Sequence, residues 1–309
     1  MEKKDIKKEN AKKKLLYKYL AAGIAIILVI GIAVGTYLSN TKADNRMNIL
    51  CMGIDKFVTM TERHPDTNSI GQADVVFLVS IDTKKEEMDI IAIPRDTIVT
   101  VEKYNSRMEY MGTEDMQLCL QYAYADGTTN SCELTQKRVN EIFEGVTIDA
   151  YAAINFSGIM QINDAIGGVE ITMKEDYTVH NPKFVKGATL LLKGTDALDF
   201  VQKRDITVAH TAYTRIDRQK QYLNEFVKKA KTVVKENPTI ISDLYSALKE
   251  NMVTNLELTQ VLEIVTTAMN CPFEEINFHK IEGEIINDGT YECFYPDEAH
   301  IKKLTRLMN

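Results

Sequence analysis

Apolar positions along the chain fall into short, continuous runs near its start and into stretches with helical spacing further on, the mixture expected of an α/β protein. Three apolar runs, residues 47–52, 75–81 and 90–93, read as strands. Gly53-Ile54-Asp55 closes the first, Gln72-Ala73-Asp74 opens the second and Pro94-Arg95-Asp96 closes the third, with Asp82-Thr83-Lys84-Lys85 as the turn between the last two. Strands running up, down and up would bring Asp55, Asp74 and Arg95 to one sheet edge. Residues 133–143 have helical spacing, with Leu134, Val139, Ile142 and Phe143 on one side. Residues 150–155 read as a short strand, 157–165 as a helix ended by Gly167-Gly168, and 169–173 as a strand again. Residues 242–270 are helical by pattern, with a break near Asn255.

Between these lies a second informative segment. Thr195 is placed to cap a short helix over 196–202 that delivers Lys203-Arg204-Asp205. A loop then leads to Thr214-Arg215-Ile216-Asp217-Arg218-Gln219 at the start of a long amphipathic helix, whose buried stripe is Ile216, Leu223, Phe226, Val227, Ala230, Val233 and Val234. Arg215, Arg218, Gln219 and Tyr222 fall on a different face.

Charge and hydropathy add a membrane. Residues 19–38 are uncharged and mostly apolar, a stretch of the length a helix needs to cross the hydrocarbon layer. Before it, eight lysines stand against Glu2, Asp5 and Glu9, which places the N-terminus in the cytoplasm and the rest outside. A cleaved signal peptide is the competing reading; the long apolar core and the lack of a small-x-small site favour an uncleaved anchor. The expected organisation is a basic tail over 1–18, a transmembrane helix over 19–38, a linker over 39–46 and one extracytoplasmic domain over 47–309. The tail carries +5 of a formal net charge of −7, leaving −12 beyond it. So acidic a domain excludes nucleic acid or an anionic surface held by a general field, and an anionic ligand must be gripped by local arginines or a metal.

That condition returns attention to the sheet edge. Two carboxylates beside an arginine suit a divalent cation holding a phosphorylated ligand, because hard oxygens bind the ion and a guanidinium clamps phosphate. Arginines at a helix start oppose the macrodipole, so Arg215 and Arg218 there suggest an anion bound among the free N–H groups, the alternative being a solvated helix start offset by Asp217 and Glu225. The five cysteines show no C-x-x-C spacing and no H-E-x-x-H segment accompanies them, which argues against zinc. Outside the membrane, Cys119 with Cys132 and Cys271 with Cys293 are candidate disulfide pairs, whereas Cys51 reads as a core residue. No G-x-S-x-G elbow is present, and the five histidines lack triad-like pairing.

The order GID, a D before an apolar strand, IAIPRD, AYADG, VTIDAYAAINFSGIMQINDAIGGVEI, FVKGATLLLKGTDALDFVQKRD and RIDRQKQ resembles the LytR-CpsA-Psr family of cell-wall assembly proteins from residue 47 onward. The resemblance implies a three-layer α/β/α fold with a central mixed sheet, preceded by one N-terminal transmembrane helix, and an apolar pocket for a polyprenyl chain. It implies a phosphotransferase that moves a glycopolymer from a polyprenyl-pyrophosphate carrier onto a peptidoglycan acceptor, with Mg2+ (Mn2+ as the alternative ion) at the pyrophosphate. The matching positions put Asp55 and Asp74 at the metal and Arg95, Arg204, Arg215 and Gln219 around the phosphates, with Arg218 a neighbour. Asp74 or Asp96 would orient the acceptor hydroxyl. Many members carry arginine, serine and threonine where this chain has Gln72, Ala73 and Val75, and a second arginine where it has Gln202. Two charges are therefore missing, and a non-catalytic polyprenyl-phosphate-binding or regulatory protein is the alternative function; Lys203 or Arg63 would be the residues to compensate.

Overall fold

The computed structural model describes residues 46–82, 84–203, 211–270, 277–287 and 291–309. Its centre is a six-stranded mixed sheet of β1 (Arg46–Ile54), β2 (Ala73–Asp82), β3 (Glu87–Ile93), β6 (Ala150–Asn155), β9 (Met252–Thr254) and β10 (Asn277–Lys280), in the order β10-β3-β2-β1-β6-β9. β1, β2 and β3 form an antiparallel meander, while β6 lies parallel to β1 and β10 parallel to β3. The turn between β2 and β3 is held by the Asp82 carboxylate, whose Oδ1 accepts from the Lys84 and Lys85 amides at 3.1 and 2.9 Å.

The central strands are buried on both faces, so the period of two sorts their side chains into two cores rather than into core and surface. Ile49, Cys51, Val75, Phe77, Val79, Ile90 and Ala92 enter one core. It is closed by residues of α3 (Phe156–Ala165), α4 (Gly194–Gln202), α5 (Thr211–Glu236), α6 (Ile240–Ala247) and α7 (Leu258–Asn270). Leu50, Met52, Val76, Leu78, Ile91 and Ile93 enter the other, under α1 (Cys119–Ala123), α2 (Thr129–Ile142) and α8 (Glu298–Thr305). Three two-stranded ribbons complete the fold: β4 (Ile98–Tyr104) with β5 (Tyr110–Gln117), β7 (Val169–Thr172) with β8 (Thr189–Leu192), and β11 (Gly283–Asn287) with β12 (Glu292–Pro296).

Where β6 feeds α3, Asn155 caps the helix by accepting from the Gly158 amide at 2.9 Å. A Cβ on Gly158 would lie 2.6 Å from Ile154 Cγ1. Gly158→Ala is therefore expected to lower stability by about 1–3 kcal/mol through overpacking, read as a lower denaturant midpoint at unchanged slope; an unchanged midpoint would mean that the strand–helix joint is loose. At the opposite edge of the sheet, Arg46 bonds Asp82 and the Leu307 carbonyl, and Asn48 Nδ2 donates to the Met308 carbonyl at 3.1 Å. The end of the chain is thus fastened to the start of β1.

Several local expectations are corrected. Thr195 does not cap α4; it is the second residue of the helix, whose N-cap is Lys193 and whose Gly194 amide donates instead to Asp164 Oδ1 at 2.8 Å. The break near Asn255 holds a strand, β9, which pairs antiparallel with β6. Cys119 and Cys132 are not bonded to each other but are separate buried thiols; Cys51 is fully buried as expected. Cys271, Arg204 and residues 19–38 lie outside the described residues, and among the described ones no helix is long and apolar enough to cross a membrane.

Candidate functional site

The antiparallel meander delivers the end of β1, the start of β2 and the end of β3 to one edge, and β6 ends there as well. In an α/β sheet this carboxyl edge is where ligands bind. The β1–β2 pairing slips by one residue between Gly53 and Ile54, and beyond it the Asp55 amide donates to the Gln72 carbonyl at 3.1 Å. The Gln72 amide in turn donates to Asp55 Oδ1 at 2.5 Å, so the Asp55 carboxylate is held against the entry to β2. Two residues on, Asp74 is 1% exposed.

Asp74 receives a hydrogen bond from Arg95 Nη1 across β2 and β3. Its other oxygen, Oδ2, is buried with no hydrogen-bond partner among the described residues. Burial raises the Asp74 carboxyl above the usual carboxylate range, against the pull of Arg95 and then Arg215. Burial also opposes the Arg95 charge, but Asp74 and Asp96 outweigh it and hold the guanidinium more firmly protonated than usual. Arg95 Nε lies 3.4 Å from Asp96 Oδ1, so this guanidinium sits between two carboxylates.

Asp74 thus presents one buried carboxylate oxygen without a hydrogen-bond partner among the described residues. No group of three or more His, Cys, Asp or Glu side chains that could hold a metal ion occurs among the described residues. The donor chemistry nevertheless fits a hard divalent ion of the magnesium kind, which takes one or two carboxylates and completes its shell with water and substrate phosphates. Asp74 Oδ2 is the feature that carries this fit.

The arginines expected on α5 separate. Arg215 is buried and close enough for its charge to act on Asp74. Arg218 turns to α4 instead: Nε donates to the Phe200 carbonyl at 2.9 Å, Nη2 to the Lys203 carbonyl, and the guanidinium lies 4.9 Å over the Tyr177 ring. Burial pushes its pKa down to about 10. Gln219 Nε2 donates to the Val201 carbonyl at 3.2 Å, and Gln202 is fully buried at the end of α4. Arg218 and Gln219 thus join the two helices, at the end where Gln202 is buried. The helix itself runs from Thr211, so Arg215 and Arg218 lie beyond its first turn rather than in it. The face of Arg215, Arg218, Gln219 and Tyr222, beside the apolar stripe, is also buried, with Tyr222 bonded to Asn163. Of the proposed compensating cations, Lys203 pairs with Asp199 at 3.0 Å and Arg63 donates to the Asn68 carbonyl at 3.0 Å.

Two groups went unnoticed in the sequence. Lys56, beside Asp55, is buried with Nζ donating to the Met60 and Glu62 carbonyls at 2.5 and 3.2 Å, and burial lowers its pKa to about 8. Its adjacency to Asp55 was the only available hint. Gln117, at the end of β5, donates to Asp96 Oδ1 at 2.9 Å and had no distinguishing signal in a polar strand.

A buried arginine between two carboxylates, with a second arginine acting on one of them, Asp74, thus lies at the carboxyl edge of a mixed sheet. Comparison with known proteins gives the class: the LytR_cpsA_psr family model matches residues 4–309, and the chain belongs to that family. It is 27% identical over 267 residues to the polyisoprenyl-teichoic acid–peptidoglycan teichoic acid transferase TagU of Bacillus cereus, covering 86% of this chain and 79% of that one. The crystal structure of B. subtilis TagV shares the fold with a TM-score of 0.65 at 21% identity, over 87% of this chain and 97% of that one. TagT bound to LIIa-WTA does so with a TM-score of 0.64 at 18% identity, over 87% and 92%.

Proposed function

We propose that this protein is an extracytoplasmic transferase that moves a glycopolymer from a polyprenyl-pyrophosphate carrier to peptidoglycan. Family membership gives the class of reaction, and the buried Asp74–Arg95 pair beside Arg215 is the observation that supports phosphate chemistry at this sheet edge. Asp55 and Asp74 would hold Mg2+ or Mn2+, which neutralises charge on the pyrophosphate when bound. Arg95 and Arg215 stabilise the charge that develops as the lipid phosphate departs, and Arg204, which follows Lys203 in the chain, is assigned to the same task. The acceptor sugar hydroxyl attacks the glycan-linked phosphorus in line with that leaving group. Asp96, fixed by Gln117, orients the groups on the Arg95 side.

The deciding experiment supplies the purified full chain in detergent with a polyprenyl-pyrophosphate-linked glycan, peptidoglycan and magnesium. Transfer of label to peptidoglycan is expected; tight binding of the carrier without transfer would make the non-catalytic binding or regulatory reading the better one, consistent with the neutral Gln72 and Gln202. In the same preparation, Arg204→Ala and Arg215→Ala are each expected to weaken polyprenyl-pyrophosphate binding by about 1.5–3 kcal/mol, a ten- to a hundredfold loss. Parent-like affinity in both would remove the arginines from the site.

The membrane arrangement belongs to the same proposal. Residues 19–38 anchor the chain as a single span, with the tail over 1–18 in the cytoplasm, the linker over 39–46 and the domain over 47–309 outside. What supports it is the apolar run and its lysine-rich flank. A tag before Lys3 should stay on the membrane-bound protein and resist external protease, while a tag after Asn309 is digested; the reverse accessibility would overturn the topology.

A further inference from the structure

Arg95 is oriented from two sides, and only one of them belongs to the carboxylate pair already described. The second side begins at Gln117, the last residue of β5, whose side-chain nitrogen Nε2 donates to Asp96 Oδ1 at 2.9 Å and to the Glu292 carbonyl at 2.8 Å. Both amide hydrogens are therefore used, one on each side of a junction between two ribbons. Asp96 Oδ1 is the same atom that faces Arg95 Nε at 3.4 Å, an ion pair rather than a hydrogen bond, and Arg95 Nη1 bonds Asp74. The result is a continuous polar chain, Gln117–Asp96–Arg95–Asp74, with Asp96 only 6% exposed.

The backbone around this chain is fixed independently. Thr97 N donates to the Pro94 carbonyl at 3.1 Å, Leu118 N to the Thr97 carbonyl at 2.7 Å and Cys119 N to the Arg95 carbonyl at 3.1 Å. The Phe294 amide donates to the Asp96 carbonyl at 2.9 Å, and a bridge joins Thr97 to Phe294. The position of the turn thus does not depend on the Gln117 side chain. What depends on it is the rotation of the Asp96 carboxylate, and through that carboxylate the plane of the Arg95 guanidinium. A buried network of this kind holds geometry only while each member keeps its partner.

We propose that Gln117 is a positioning residue for the transfer reaction, setting the orientation of Arg95 through Asp96. This rests on Arg95 meeting the pyrophosphate, as proposed above. Gln117 touches neither reactant; it acts by leaving Asp96 Oδ1 aimed at Arg95 Nε, so that the guanidinium is preorganised before the carrier arrives.

The test uses the full chain in detergent and four variants. Gln117→Met keeps the length and removes both donors, and Gln117→Lys keeps donor hydrogens at similar reach. Asp96→Asn and the double variant Gln117→Met/Asp96→Asn complete a cycle. Gln117→Met is expected to lower transfer about tenfold or more, the range set by one hydrogen bond to a charged group. Gln117→Lys should recover most of the loss. The double variant should be no slower than Asp96→Asn alone, because the two residues act on one guanidinium. Parent-like transfer by Gln117→Met, failure of Gln117→Lys to rescue a folded protein, or multiplicative losses in the double variant would each overturn the proposal. If the parent transfers no glycan, the proposed function fails, and the same cycle is read on the dissociation constant for polyprenyl pyrophosphate. Coupling there supports the relay, and additivity overturns it.

Discussion

Asp74→Asn is expected to reduce magnesium-dependent glycan transfer by on the order of 10²–10³-fold, the loss that follows removal of one preorganised electrostatic group, while the melting temperature stays within a few degrees of the parent. The two outcomes have different causes. Activity falls because the buried Oδ2, which has no hydrogen-bond partner among the described residues, is replaced by an NH2 group that cannot bind a cation. Stability holds because asparagine keeps the volume and still offers Oδ1 to Arg95. The attraction lost between the ions is offset by no longer burying a carboxylate that burial itself disfavours. Asp55→Asn should behave likewise. Normal transfer by a folded Asp74→Asn protein, with an unchanged response to magnesium titration, would take this carboxylate out of the chemistry.

Arg95→Ala is expected to have the reverse balance, losing stability as well as activity. It strips the buried Asp74 carboxylate of its hydrogen-bonded counter-ion, and breaking such a pair from one side costs about 3–5 kcal/mol. The pH dependence has a definite sign. Asp74 already has a carboxyl pKa raised in the folded state by burial, and removing Arg95, which lowers it, raises it further. The folded state then binds a proton that the unfolded state has released, so the contribution is fully present below the unfolded value near 4 and is lost as pH rises through the folded pKa. Thermal melts of Arg95→Ala should therefore show a larger deficit against the parent at neutral pH than at mildly acidic pH. An equal deficit across that range would mean that the carboxylate finds another partner, and Arg215, which already acts on it, would be the first to test.

How far the sequence foretold these residues depends on the range of the interactions that decide them. The three strands and their shared edge were legible, because apolar runs and turn residues are local signals and an up-down-up meander is their simplest arrangement. Asp55, Asp74 and Arg95 came with that edge. The α5 stripe was legible for the same reason, since five of its residues, Ile216, Leu223, Phe226, Ala230 and Val234, are buried. Its other face was not, because Arg218, Gln219 and Tyr222 look solvent-facing until α4 and α3 close over them. The strand β9 is three residues long and is made by its pairing with β6, which no local pattern encodes. The capping role expected of Thr195 falls to Asp164, which accepts from the amide of Gly194 thirty residues later. Gln117 was invisible because its meaning lies in contacts with Asp96 and Glu292, 21 and 175 residues away.

The direction of β1 has a consequence for posture at the membrane. The strand enters at Arg46 and reaches the carboxylate edge nine residues later, about 30 Å away at the rise of an extended strand. A chain leaving the bilayer and entering β1 at Arg46 would hold the site far from the headgroups if the sheet stood upright. A pyrophosphate attached to a membrane-dissolved lipid cannot climb that distance without drawing its chain out of the hydrocarbon. The residues over 39–45 are long enough, at most about 25 Å when extended, to let the domain tip over until β1 lies along the surface. If residues 19–38 anchor the chain as proposed, the domain would recline on the bilayer to meet the carrier, and shortening the tether should cost more than lengthening it.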